Sequence, residues 1–304
     1  MSSPHPASAA ARSRLVLGVI GGSGLYDMEQ LEGRESVAVD TPFGGPSAAF
    51  SVGHIQRDGA EPIKVVFLPR HGAGHRLLPG EINYRANIHG LKQLGVTHLL
   101  AVSAVGSLKE TICPGDVVLP DQFIDLTRHR RSTFFGDGLA AHVQLGSPTC
   151  PAFRQLTAEA VGAEGGTLHD GGTCVVMEGP AFSTRAESEL YRGRWAASVV
   201  GMTAMPEAKL AREAEMAYTM VAMSTDYDCW HVGHEEVSVA ALVAVMQANV
   251  RLARCIVGRV ARTLPQDTDA LPYPHACARA IITAPDAIDE AAKSRLDLIV
   301  GHYL

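Results

Sequence analysis

The sequence predicts an α/β fold with a largely parallel or mixed central sheet. Two observations predict it. Short continuous runs of Val, Leu and Ile recur along the chain, and amphipathic helical patterns fall between them. Runs without alternation mark strands covered on both faces. Strands that alternate with helices place those helices as layers on such a sheet.

In chain order, the strand segments are RLVLGVI (14–20), IKVVFLPR (63–70), THLLAVS (97–103), GDVVLP (115–120), TCVVM (173–177), ASVVGMT (197–203) and YTMVAMSTD (218–226). Helical spacing predicts helices over 80–95, 150–163, 183–194, 205–216 and 238–261, the last with Ser238 as its N-cap. The segment from 263 to 286, rich in Pro, Asp and Ala, reads as a loop before a last helix at about 286–296. No internal repeat or linker divides the chain, so residues 14–304 are expected to form one domain with a C-terminal loop and helix over 263–304. Residues 1–13 read as a disordered tail; their Ser, Ala and Arg without an acid only faintly suggest a transit peptide.

Bulk numbers exclude some function classes. At 304 residues, with 46% hydrophobic and 19% charged, the chain can bury a sizeable core. A net charge of −6 argues against a nucleic-acid partner, which needs a surplus of Lys and Arg. There is no apolar run long enough to span a membrane. The six cysteines form no C-x-x-C pair and no His cluster has zinc spacing, so reduced structural thiols in a cytoplasmic chain are expected.

The first strand ends in GVIGGSGLYD. Its Gly18, Gly21, Gly22, Ser23, Gly24 order fails the G-x-G-x-x-G spacing of a dinucleotide turn, and no Lys-Ser/Thr pair makes it a P-loop. A plain structural turn and an anion-facing loop with Ser23 both remain. Three more strand ends carry anion-suited groups: Arg70 and His71 in LPRHGAGH, Ser103 and the Ala104 amide in AVSAVGS, and Thr203 in VVGMTAMPEA. Ligands gather at the carboxyl ends of strands in open α/β sheets, so four such ends together suggest a phosphate cradle. Finally, Asp226 and Asp228 follow an apolar strand in STDYDCW. In extended backbone, residues two apart point the same way. The pair reads either as a solvated turn or as carboxyls of which one, in an apolar pocket, keeps a proton and acts as an acid on a leaving base.

Read together, GVIGGSGLYD, DTPFGGPS, RHGAGH, INYRANI, VGSL, PGDVVLPDQFID, EGPAFSTRAE, GMTAMPEAKLAREA, STDYDCW and HEEVSV resemble the 5′-methylthioadenosine phosphorylases of the purine nucleoside phosphorylase superfamily, from about Leu15 to Val260. The resemblance implies the nucleoside phosphorylase fold, a mixed and barrel-like central β-sheet flanked by helices, assembled as a homotrimer in the cytoplasm, or also the nucleus in a eukaryote. It implies phosphorolysis of methylthioadenosine to adenine and 5-methylthioribose 1-phosphate, with phosphate as co-substrate and no cofactor or metal.

By the same resemblance, Ser23, Arg70, His71, Ser103, the Ala104 amide and Thr203 would hold phosphate. Met202 would pack on the ribose, and Phe182 and Ser183 would line the purine. Asp226 would be the general acid at N7, and Asp228 would read the 6-amino group. Val239 would face the methylthio end, and His142 would come from a neighbouring subunit. The chain departs from the family with Ser at 23 and 103, where many relatives have Thr, and with Ala181 where Arg is frequent. The rival readings are a phosphorylase of 6-oxo nucleosides, a nucleosidase that uses water, and a binder without turnover.

Overall fold

The first apolar run forms β1 (Val16–Gly21), buried along its whole length. In the computed structural model, which describes residues 15–22, 25, 28, 30–231, 239–265 and 275–304, it begins an eleven-stranded sheet. There follow β2 (Glu32–Val37), β3 (Phe50–Arg57), β4 (Ala60–Pro69), α1 (Tyr84–Gln93), β5 (His98–Ser107), β6 (Val117–Leu119), β7 (Gln122–Asp125) and α2 (Pro151–Ala163). Then come β8 (Leu168–Asp170), β9 (Thr173–Val176), α3 (Arg185–Glu189), β10 (Val199–Gly201), α4 (Ala204–Glu213), β11 (Ala217–Asp226), α5 (Val239–Thr263) and α6 (Glu290–Val300).

The alternation of each central strand decides which helices cover it. Val16 and Ile20 of β1 join Tyr218, Met220 and Ala222 of β11 in a core under α1, α4 and α6. Leu17 and Val19 join Ala217, Val221 and Met223 in a second core under α2 and α5. Successive side chains of a strand leave on opposite faces, so both faces of the sheet are apolar and both are roofed. Burying each such Leu, Ile or Val is worth roughly 1.5–3 kcal/mol. The mixed α/β sheet flanked by helices is the architecture expected from the sequence.

The strand order runs β2-β3-β4-β1-β5-β10-β9-β7, while β11 pairs with β5, β6 with β11 and β8 with β6. The sheet therefore forks at β5. Along one edge β5 pairs with β11 from His98 to Gly106. Along the other it pairs with β1 only over His98–Ala101, and with β10 only at Gly106 and Ser107. Among the described residues, the stretch from Val102 to Val105 has no strand on that edge. Where β1 and β10 part, the sheet opens.

Several element boundaries differ from the expected ones. The 183–194 helix is α3 followed by a π-type turn over Leu190–Arg194, with Thr184 and Glu187 capping its start reciprocally. The last helix starts at Glu290, not near 286, because the Asp289 side chain caps it by accepting from Ala292 N at 2.7 Å. Four strands, β2, β3, β7 and β8, were not expected. The proposed Ser238 cap and the 1–13 tail lie outside the described residues. The segment from 275 onward packs on the body: Ala280 O accepts from His142 N at 2.8 Å, and the Cys277 thiol donates to Glu213 O.

Candidate active site

The gap on the β5 edge collects the expected anion groups. Ser103 Oγ, on β5, lies 3.2 Å from Thr203 Oγ1, just after β10. Thr203 opens α4 without capping it, so its hydroxyl is available to the gap. Ala104 is exposed although it sits within a central strand. Its amide direction follows from its neighbours. Val105 O accepts from Thr225 Oγ1, on the β11 side, and Val102 O accepts from Arg70, on the β1 side. Backbone groups of alternate residues face alternate edges, so the Ala104 N–H faces the gap with Val102. The end of β4 is tied to the same place, since Arg70 N donates to Gly21 O at 3.0 Å.

Arg70 was expected to offer its planar fork to phosphate; in the structure most of that fork is taken up inside the protein. Its side chain is buried, and Nε and Nη2 close on the two carboxylate oxygens of Glu207, which is equally buried in α4. Nη1 donates to Val102 O at 3.2 Å and Nη2 reaches Ile20 O at 3.5 Å. A guanidinium so used has one Nη1 N–H left for an anion. Burial alone would lower the Arg70 pKa, but the Glu207 carboxylate more than offsets this and holds it above its ordinary value. His71 stacks on His75 at 4.1 Å between ring centroids, and its Nδ1 donates to Leu77 O at 2.8 Å. Burial pushes its pKa down to about 4, so the ring is neutral near neutral pH. With Arg70 paired and His71 neutral, hydroxyls and backbone amides would meet the anion, rather than a free positive charge.

The Asp226–Asp228 pair lies across from this gap, in a geometry the sequence reading missed. Asp226 is the last residue of β11, and Asp228 has φ +52°, so the segment turns instead of running extended. Asp226 Oδ1 accepts from Asp228 N at 2.8 Å and Oδ2 accepts from Thr225 Oγ1 at 2.7 Å. Asp226 is exposed, so among the described residues no apolar pocket closes around it. Gly106 explains how the turn lies so close to β5. A Cβ there would stand 3.1 Å from Asp226 Oδ1 and 3.3 Å from Asp228 Cβ.

The remaining wall comes from the ends of β9 and β10. Met202 follows β10 and packs over Gly179, where a Cβ would approach its Sδ to 2.7 Å at φ +71°. Ser183 is buried, with Oγ 3.9 Å from Met177 Sδ and its carbonyl accepting from the Cys229 thiol at 3.3 Å. Phe182, next to it, is 83% exposed. His142 is also exposed, and its segment bonds to 280–283 rather than to any of these strand ends. Ser23 lies outside the described residues; Val239 begins α5, and its side chain is likewise outside the description.

The sequence pattern of the Phosphorylase superfamily matches residues 16–262, more than half of the chain and all of the strand ends above. The chain belongs to the phosphorylase superfamily. Within that superfamily it is similar to a protein of Geobacter sulfurreducens named S-methyl-5′-thioadenosine phosphorylase, 53% identical over 290 residues, 95% of this chain and 99% of the relative. It is 50% identical to the protein of that name from a Synechocystis strain, over 94% of this chain and 87% of the relative. A crystal structure of a methylthioadenosine phosphorylase sourced from an antarctic soil metagenomic library superposes with a TM-score of 0.86 at 42% identity, covering 95% and 99% of the two chains. The methylthioadenosine phosphorylase of Schistosoma mansoni in complex with tubercidin gives 0.77 at 34%, covering 84% and 95%.

Two residues of this phosphorylase superfamily member were missed in the sequence. Glu207 was hidden in a helical pattern, yet Ala204, Met205, Pro206 and Ala208 around it are all buried. A charge inside an apolar window needs a buried partner, and Arg70 was the candidate. Arg130 lies in the basic run RHRR (128–131), which the sequence reading did not single out; its side chain is 1% exposed. Among the described residues no group of three or more His, Cys, Asp or Glu is arranged to hold a metal.

Proposed function

We propose that the chain catalyses phosphorolysis of 5′-methylthioadenosine to adenine and 5-methylthioribose 1-phosphate. The single observation that carries this reading is the pair of hydroxyls, Ser103 and Thr203, meeting beside the Ala104 amide across from the Asp226 turn. The names of the relatives supply the nucleoside.

In this reading phosphate sits at the gap on the hydroxyls, the Ala104 amide, the remaining Arg70 N–H, His71 and the Ser23 loop. The nucleoside lies over it, with the ribose on Met202 and the purine between Ser183, Phe182 and the Asp226–Asp228 turn. The bond from the anomeric carbon to N9 stretches, and positive charge gathers on the sugar. The anion below stabilises that charge, then one of its oxygens bonds to the anomeric carbon. The electron pair of the broken bond moves to the purine, and Asp226, open to solvent and carrying a proton taken up from it, gives that proton to N7 and is left as a carboxylate. Positioning and electrostatics would do most of the work, with the acid worth about 10²–10⁴-fold.

A 6-amino group donates hydrogen bonds and the Asp228 carboxylate accepts them, so 6-aminopurines are favoured over 6-oxo purines. Val239 would meet the methylthio group. His142, turned from the cleft of its own chain, would serve a neighbour's cleft in a homotrimer. Phosphate is a co-substrate and no cofactor takes part; the cytoplasm is the expected compartment. Parallel assays with methylthioadenosine, adenosine, inosine and methylthioinosine, each with phosphate, test the base reading. Free base should appear from the two 6-amino nucleosides; equal rates from the 6-oxo pair would refute it.

A further inference from the structure

Arg130 follows β7, and its guanidinium reaches four separate segments. Nη1, with two N–H groups, lies 2.6 Å from Met202 O, 2.8 Å from Met205 O and 3.0 Å from Tyr84 Oη. Nη2 donates to Glu178 O at 2.6 Å and reaches Met177 O at 3.5 Å, while Nε reaches Glu178 Oε1 at 3.4 Å. The cation also stands 5.3 Å from the centre of the Tyr84 ring. Met177 and Glu178 follow β9, Met202 follows β10, Met205 lies in the first turn of α4 and Tyr84 begins α1.

Two of these carbonyls, of Met202 and Met205, lie outside regular strand or helix pairing. Met205 is non-helical, with φ −113° and ψ 132°, so its C=O leaves the helical ladder. Met202 lies past the last β10 pair. A buried carbonyl left alone is costly, so one planar, multiply donating cation is the efficient partner for several. The residues it fixes are those that the proposed function uses. Met202 carries the ribose, Thr203 stands between the two anchored carbonyls and touches Ser103, and Glu178 opens the Gly179–Ser183 segment that lines the purine.

We propose that Arg130 is a positioning residue that locks the nucleoside wall to the phosphate wall. It touches neither substrate. It sets the distance between Met202, on which the sugar rests, and the Thr203 hydroxyl, on which the attacking anion rests. This rests on the phosphorolysis reading. A displacement of about 1 Å between reacting groups can cost about 10²-fold in rate.

The test is steady-state kinetics of full-length Arg130→Lys and Arg130→Ala, varying methylthioadenosine and phosphate separately. A lysine ammonium is a compact point charge that cannot reach the carbonyls held by both Nη1 and Nη2 of a guanidinium. Both variants should therefore lose about 100-fold in kcat, with the KM of both substrates rising together. Added guanidinium ion should restore part of the Arg130→Ala rate, and ammonium should not. If Arg130→Ala fails to fold, Arg130→Lys alone decides. Wild-type kcat in either variant overturns the proposal. So does a rise confined to the phosphate KM, which would make Arg130 a phosphate ligand. Absence of phosphate-dependent turnover in the wild type would refute the phosphorolysis reading instead, so the two failures are distinguishable.

Discussion

Glu207 closes on the Arg70 guanidinium beneath the gap in β5, and the two side chains are only 1% and 2% exposed. Two opposite charges removed from water together stabilise each other, but either alone would be an uncompensated buried ion. The phosphate proposed to lie above them would therefore meet a cation whose charge is already paired.

Arg70→Ala should accordingly destabilise the fold by about 3–5 kcal/mol, because Glu207 is left unpaired. The double variant Arg70→Met/Glu207→Leu should recover most of that loss in chemical denaturation, since apolar residues of similar volume can replace a buried pair. It should still be unable to use phosphate normally. A double variant no more stable than Arg70→Ala would contradict the pairing argument.

Removing the hydroxyls should act on phosphate alone. Hydrogen bonds to a charged group are worth about 1.5–3 kcal/mol, so Ser103→Ala or Thr203→Ala should raise the phosphate KM about 10- to 100-fold. Thr203→Ser keeps the donor and should change it little. Unchanged phosphate KM in both alanine variants would remove the hydroxyl pair from the site.

Gly106→Ala tests the Asp226 turn without touching a carboxylate. The new Cβ would press on Asp226 Oδ1 from 3.1 Å, tighter than an ordinary contact, and shift the acid. The expected result is a fall in kcat of about tenfold with the phosphate KM held. Asp226→Ala should fall further, by about 10²–10⁴-fold, and wild-type turnover there would exclude Asp226 as the acid.

Stability should fall in acid through buried histidines. His98 packs against Phe153 at 5.0 Å, and burial pushes its pKa from 6.5 down to about 4. The unfolded state binds this proton more readily, so stability is fully present above about pH 6.5 and is lost as the pH falls toward 4. Glu213 opposes this. Burial raises its pKa from 4.5 to about 7, so its contribution is lost as pH rises through that range. Melting temperatures of the wild type and His98→Gln, compared across the His98 window, cancel the Glu213 term. The variant should show the shallower acid loss, and parallel curves would refute the assignment.

The central strands were legible because burial on both faces leaves an unbroken apolar run, as in β1 and β11. β2 was not: EGRESV is exposed at nearly every position, so pairing with β3 alone makes it a strand. Ser103, Ala104 and Thr203 were found because each closes a short apolar run, although β5 runs on to Ser107 and leaves Ser103 and Ala104 inside the strand. The Arg70–Glu207 and Arg130 contacts were not, because their partners lie far along the chain and a charged letter does not show whether it is solvated. Asp228 was misjudged because the extended geometry assumed for β11 ends at Asp226.

The most direct test of the account is adenine release from methylthioadenosine by the full-length chain, with phosphate present and rigorously omitted. The account predicts one adenine for each phosphate consumed, with 5-methylthioribose 1-phosphate as the other product, and no release without phosphate. Equal release in the absence of phosphate would make water the nucleophile and contradict it.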